Sequence, residues 1–420
     1  MLLTSSKNWK TVRLGEISEI IDGDRGVNYP KNEEFLKKGF CLFLSTKNVP
    51  NTKFEFSAPL FISEEVDFRL RKGKLQREDF VLTTRGTIGN IAFYSKDIPY
   101  DHIRINSGMV ILRPIKDLID SKFFILYLTS PEFHSQVLSL QSGSAQPQLP
   151  IKDLKNFEIS LPEFITEQKE IAEILGCLDD KIELLRRENK TLESIAQTLF
   201  KEWFVNFNFP GSNEKMVDSE LGEIPEGWKV GKLGEIAFVT KGTTPTTIGG
   251  KFTETGINFI KAESITEEHG FNLNKIAFID EHTNNLLNRS VIQADDLLYT
   301  IAGTIGRFAL IKKDLVPANT NQAVAIIRAN KDIVDPYYLR CYFDLDSTKE
   351  SLTGSIVEAV QANLSLGSIK DSNVLIPNNI CMELFIEKIK PVFLKADLHN
   401  LEIKTLSKLR DDLLNKIFNE

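Results

Sequence analysis

Five cations fall within nine residues at Arg69-Leu70-Arg71-Lys72-Gly73-Lys74-Leu75-Gln76-Arg77. Such a segment can neutralise phosphates, and each neutralised phosphate releases counterions, so the affinity it gives falls with salt. An arginine can also reach guanine O6 and N7 with two hydrogen bonds. A solvated charged face is the competing reading. Arg85 stands directly before Gly86-Thr87-Ile88-Gly89, a tight strand connection whose glycines supply backbone conformations other residues resist. That connection would project Arg85 and Thr87 from a rigid base, although a plain hairpin turn has the same spelling. A third candidate is the turn-dense stretch 22–31, which offers Arg25, Asn28, Tyr29 and Lys31 to phosphates or base edges. Catalysis has no comparable candidate. The chain has no Gly-x-x-x-x-Gly-Lys-Ser/Thr loop, no Gly-x-Gly-x-x-Gly turn, no His-Glu-x-x-His and no Asn/Asp-Pro-Pro-Tyr/Phe. Cys41, Cys177, Cys341 and Cys381, and His102, His134, His269, His282 and His399, show no metal-ligand spacing; buried or incidental residues are expected.

The frame that must position these groups is written twice. Trp9-Lys10 with Leu14-Gly15-Glu16-Ile17 returns as Trp228-Lys229 with Leu233-Gly234-Glu235-Ile236. Gly86-Thr87-Ile88-Gly89 returns as Gly303-Thr304-Ile305-Gly306, and Lys190-Thr191-Leu192 as Lys404-Thr405-Leu406. A period of roughly 215 residues is a domain plus a connector, far beyond the ~20–50 residues of a solenoid repeat. The polar chemistry does not repeat with the frame. The second copy offers Lys241, Thr243, Thr244 and Lys251 where the first has its 22–31 loop, and Ala302 stands where Arg85 stood. Thr304 keeps the turn, while Lys261 and Arg289 are its remaining candidates.

Each copy reads as short β-rich runs between turn residues: 40–44, 80–84, 91–94 and 109–112 in the first, and 259–260, 297–301, 308–311 and 324–327 in the second. Residues 121–128 and 336–343 read as helices. Each copy closes similarly, with Gln146-Pro147-Gln148-Leu149 leading to Pro162 and Gln361-Ala362-Asn363-Leu364 leading to Pro377.

A long helix follows each closing proline. In the first, Ile171, Leu175, Leu178, Ile182, Leu185, Leu192, Ala196, Leu199 and Trp203 step by 4 and 3, with Asn189 filling the gap. That is the seam of a coiled coil, in which a polar residue fixes register. About 33 residues at 1.5 Å each give a rod of roughly 50 Å. The second seam holds Val392, Ala396, Ile403, Leu406, Leu413 and Ile417, with His399 and Arg410 interrupting it. Leu394, Leu398 and Leu401 point to a second contact face. Two amphipathic helices, each on its own domain, are the alternative, but an untwisted helix drifts off such a seam. The expected fold is α+β: two globular mixed α/β domains in tandem, separated by two long antiparallel coiled-coil helices, with an internal pseudo-two-fold. The expected boundaries are 1–165 and 228–380 for the domains, 166–208 and 381–420 for the helices, and 209–227 for a polar, Pro- and Gly-broken linker.

The bulk properties constrain the partners weakly. The 420 residues carry a formal charge of −7, which argues mildly against a general nucleic-acid binder. Residues 1–165 nonetheless hold 22 Lys and Arg against 20 Asp and Glu, leaving the deficit in the remainder. No run approaches the ~18 apolar residues of a membrane span, and the first residues lack a signal-peptide core, so a cytoplasmic location is expected.

Taken together, these features resemble the specificity subunit of type I restriction-modification systems. The resemblance rests on Trp9 with 14–17, the Gly-Thr-Ile-Gly turn, and 171–175 leading into the heptad helix. It rests also on Lys201-Glu202-Trp203-Phe204 and Ile224-Pro225-Glu226-Gly227-Trp228. It implies two target-recognition domains, each reading half of a split DNA site, held apart by helices on which two modification subunits dock. Those partners would bind S-adenosylmethionine and methylate adenine, and ATP-dependent restriction subunits would join for cleavage. No cofactor or metal is expected in this chain, nor any catalytic residue. A coiled-coil scaffold and a DNA-modifying enzyme with unfamiliar motifs are the alternatives.

Overall fold

Asp120 and Asp335 each accept backbone N–H bonds from the first turn of the helix that follows, Ser121–Leu128 and Pro336–Asp344. Such caps satisfy donors the helix cannot, which is why both helices start at the same place in their copies. The computed structural model describes residues 9–140, 148–212, 215–354 and 363–419. Gln146, Pro147, Asn213, Gln361 and Ala362 lie outside them. The chain divides into one unit of Met1–Arg186 with Leu401–Glu420 and a second of Arg187–Asn400. Each unit therefore takes part of both long helices.

In the first unit, an antiparallel sheet orders Ser18–Asp22, Met109–Pro114, Phe80–Thr83 and Ile91–Phe93. A second sheet orders Phe61–Ile62, Cys41–Leu44 and Ile103–Ile105, and Trp9–Arg13 pairs with the closing strand Glu158–Pro162. The second unit repeats the plan. Ala237–Lys241, Val324–Ala329, Leu297–Thr300 and Phe308–Leu310 form the equivalent sheet, and Lys229–Lys232 pairs with Asn373–Ile376. The 209–227 segment is more ordered than a linker: Met216–Ser219 and Gly222–Pro225 form a hairpin, and Phe209 and Ile224 are buried in the second unit's core.

One ion pair recurs at the same place in both sheets. Arg113 grips Asp79 through Nε and Nη2 at 2.8 Å each, while Gln76 N–H donates to the same carboxylate at 2.7 Å. Arg328 grips Asp296 at 2.7 and 2.6 Å, with Gln293 N–H at 2.7 Å. Both carboxylates are buried.

The central helix runs Ile165–Phe204 and the C-terminal helix Asn379–Asn419. In the first unit Ile171, Ala172 and Leu175 share a core with Leu414, Ile417 and Phe418, and Phe418 packs on Phe123 and Tyr127 at 5.6 and 5.7 Å between ring centroids. In the second, Ala196, Phe200, Trp203 and Phe204 share a core with Phe385, Ile389 and Phe393. His399 and Arg410, which interrupt the seam in the sequence, occupy seam positions with partners. His399 Nδ1 lies 2.9 Å from Asn189 Oδ1, Asn189 Nδ2 donates to Asn400 Oδ1 at 2.9 Å, and Arg410 Nη1 donates to Asp179 at 2.9 Å. Among the described residues, no helix is long and apolar enough to cross a membrane.

Candidate nucleic-acid interface

The Gly-Thr-Ile-Gly turn is tied down by the threonine that precedes it in the strand. Thr83 Oγ1 donates to Thr87 O and accepts from Asn90 N–H at 3.0 Å. Thr300 does the same with Thr304 O and Arg307 N–H, the latter at 2.9 Å. Gly86 and Gly89 sit at φ +73° and +94°, Gly303 and Gly306 at +75° and +95°. That is the left-handed region, where a side chain is strained. Both turns thus present Thr87 and Thr304, exposed, from a fixed base. Thr83 and Thr300 are absent from the candidates above, although their recurrence three residues before each turn is a signal the sequence carries.

Asp24 ties the 22–31 loop to the start of the cation segment at Arg71. It accepts Arg71 N–H at 2.7 Å and Arg25 N–H at 2.8 Å. Partial burial raises the Asp24 pKa, but the backbone donors of Arg71, Arg25 and Lys72 outweigh it and hold the carboxyl below its ordinary range. Arg25 reaches back to Asp22 at 3.0 Å and to Ser107 O at 3.5 Å. Asp22, Arg25, Arg85 and Gln148 line a single cleft of about 270 Å³. The guanidinium of Arg85 has no partner among the described residues.

Three of the five cations of the 69–77 segment are committed to carboxylates. Arg69 forms a two-pronged pair with Glu34 at 2.8 Å, and that pairing brings the Glu34 carboxyl down to about 2. Lys74 bonds Asp67 at 2.5 Å, the same buried carboxylate that Arg104 engages. Arg77 lies over the Tyr94 ring at 4.2 Å and bonds Asp101 at 2.8 Å. Arg71 and Lys72 are left exposed, with no side-chain partner among the described residues. Elsewhere in this unit, Tyr29 packs edge-on against Phe43 at 5.6 Å, so its ring serves a small core while Lys31 stays exposed and Asn28 half-buried.

In the second unit, Lys241 and Thr244 take the places of Asp22 and Arg25. Lys241 ends its strand opposite Ala325 as Asp22 does opposite Val110, and Thr244 Oγ1 donates to Gln322 Oε1 at 2.5 Å. Thr243 lies beside them, half-buried. Lys251 and Lys261 lie apart, Lys251 just before the strand Phe252–Thr253 and Lys261 just after the strand Ile257–Ile260. Lys251 pairs with Asp280 at 3.5 Å; Lys261 pairs with Glu263 at 3.7 Å and lies over Phe252 at 5.2 Å. Arg289 is exposed.

A family model described as the type I restriction modification DNA specificity domain matches residues 6–194 and again 225–408. The MjaIX type I restriction enzyme specificity subunit of Methanocaldococcus jannaschii is 25% identical over 417 residues, spanning 98% of this chain and 93% of that protein. The HindI type I restriction enzyme specificity subunit of Haemophilus influenzae is 23% identical over 483 aligned residues, spanning 98% and 99%. In fold, the chain is similar to a crystal structure of a type I restriction-modification S subunit from M. genitalium, with a TM-score of 0.57 at 16% identity over 99% of this chain and 97% of that one. Two matched blocks, repeating the two copies of the frame, place the chain in the type I restriction-modification DNA specificity family.

Proposed function

We propose that residues 1–165 and 228–380 are target-recognition domains, each reading one half of an asymmetric bipartite DNA site. The two long helices serve as an antiparallel coiled-coil spacer on which two methyltransferase subunits dock. The chain does no chemistry itself: S-adenosylmethionine and adenine methylation belong to the modification subunits, and restriction subunits join for cleavage. One observation carries this reading. The frame repeats to the level of the Thr-anchored turn and the Arg-Asp clasp, while the positions of Asp22, Arg25 and Arg85 are taken in the second copy by Lys241, Thr244 and Ala302. Two copies of one surface would suit a symmetric site; two surfaces on one frame suit an asymmetric one. Methylome sequencing of a host expressing the chain with its modification subunit is expected to show two unlike half-sites around an unread spacer. A symmetric or continuous site contradicts the proposal. So does methylation by the purified chain alone.

Arg71 and Lys72 are the cations of the 69–77 segment left to meet phosphates. Replacing both by glutamine is expected to weaken DNA binding for every sequence and to lower the slope of log affinity against log salt by roughly two. Charge removal at Arg69 or Lys74 acts instead through Glu34 and Asp67, on folding. An unchanged slope in the Arg71→Gln/Lys72→Gln variant takes this segment out of the interface.

Partner docking has its own candidate. Leu394 and Leu398 are 45% and 66% exposed on the C-terminal helix, off its buried seam, with Leu401 at 62%. Leu394→Glu/Leu398→Glu is expected to abolish co-purification of the modification subunit while leaving the thermal transition of the isolated chain in place. Full retention of the partner assigns docking elsewhere.

A further inference from the structure

The residue leading each Gly-Thr-Ile-Gly turn is paired, across an isolated antiparallel bridge, with a residue from the end of its copy. Arg85 opposes Gln148, and Ala302 opposes Asn363. Directly opposed side chains in such a bridge leave the backbone on the same face, with Cβ atoms ~4.5–5.5 Å apart. Both bridges are fixed in the same way. Leu149 N–H donates to Thr84 O at 3.1 Å and Leu364 N–H to Ile301 O at 2.9 Å, and both leucine side chains are buried. Alternation along an extended chain then turns the preceding Gln148 and Asn363 outward. Both are exposed, and neither side chain has a hydrogen-bond partner among the described residues.

We infer that Gln148 and Asn363 are base-reading residues, so that the first domain reads a guanine with Arg85 beside an adenine with Gln148, whereas the second reads an adenine with Asn363 and no guanine beside it. This rests on the half-site reading proposed above and deepens it. An uncharged amide offers a phosphate little, but its donor and acceptor together match adenine N6 and N7, as a guanidinium fork matches guanine O6 and N7. Bases on one strand step by about 3.4 Å, so two side chains rooted at bridge spacing reach neighbouring pairs. Arg25 is already committed to Asp22 and Ser107, while Arg85 in the same cleft is not. The second domain keeps the amide but has a methyl group where the fork was, which removes the guanine preference at that register.

The test uses the full-length chain co-expressed with its modification subunit, read by methylome sequencing. Arg85→Ala is expected to relax one guanine position, and Gln148→Ala an adjacent adenine position, of one half-site. Asn363→Ala is expected to relax an adenine of the other half-site. In each case the discrimination lost is on the order of ten- to a hundredfold, with the opposite half-site and the spacer unchanged. Gln148→Glu, which presents only acceptors, is expected to shift the preference at its position from adenine toward cytosine. Unaltered half-sites in Gln148→Ala and Asn363→Ala with methylation intact overturn the assignment. So does loss of all methylation in both Gln148 variants while the complex still assembles, since that marks a structural role. If the unaltered chain and its partner methylate no bipartite sequence, the reading beneath fails instead.

Discussion

Replacing Arg328 by leucine is expected to destabilise the second unit by about 3–5 kcal/mol, and Arg113→Leu to do the same to the first. The reason lies in the carboxylates. Asp296 and Asp79 each have only 1% of their side-chain surface exposed, while their arginine partners keep 30% and 23%. Removing the guanidinium leaves a charge held by a lone backbone N–H, from Gln293 or Gln76. A buried charge that loses its partner carries its desolvation penalty uncompensated. Against a total stability of roughly 5–15 kcal/mol, that loss is large. Removing both members tells a different story. Asp296→Leu/Arg328→Leu leaves no charge to strand and should recover most of the loss, because apolar replacement of a whole buried pair is often neutral or better. Urea unfolding of the three variants decides it. Single variants within about 1 kcal/mol of the unaltered chain would show that the carboxylate finds water or another donor.

These clasps also show what the sequence makes legible and what it hides. The core strands Phe80–Thr83 and Leu297–Thr300 are legible because runs such as Phe80-Val81-Leu82 are buried on both faces and read as continuous apolar segments. Ser18–Asp22 and Ala237–Lys241 are missed as strands because they flank the main sheet, partly exposed, and end on a charged residue, Asp22 or Lys241. The cation cluster is legible as charge but not as geometry. Counting lysines and arginines finds 69–77, yet the partners that commit three of them, Glu34, Asp67 and Asp101, lie on other elements. Gln148 and Asn363 escape for a related reason. In one dimension they belong to a closing motif more than fifty residues from the turns they oppose, and only strand pairing sets them beside Arg85 and Ala302. Local pattern encodes which face of an element is buried; it does not encode what sits across from it. His399 and Arg410 make the same point. They look like breaks in a hydrophobic seam until Asn189 and Asp179, over two hundred residues earlier, supply their hydrogen bonds.

Seven residues inserted after Arg186 in the central helix are expected to abolish assembly with the modification subunit, and seven more after Thr405 in the C-terminal helix to restore it. A heptad preserves which face of a helix is apolar, so neither insertion harms the seam by composition. What it changes is length. Asp179 bonds Arg410 in one unit, and Asn189 bonds His399 and Asn400 in the other. The step from Asp179 to Asn189 is ten residues and that from His399 to Arg410 eleven, so the two sequence intervals are nearly equal. One insertion lengthens one helix by about 10.5 Å and leaves the other as it was. Both polar contacts can then close only if a helix buckles, and losing the Asn189 contact leaves the buried His399 ring without that hydrogen-bond partner. The matched pair of insertions removes the conflict, so both contacts form again on helices that are two turns longer. If the helices set the distance between half-sites, the unread spacer should then lengthen by as much as about three base pairs, at 3.4 Å each. Co-purification with the modification subunit reads the first effect and methylome sequencing the second. A matched variant that methylates with an unchanged spacer removes the helices from the measurement of distance, and a single-insertion variant that assembles normally shows that the two polar contacts do not set register.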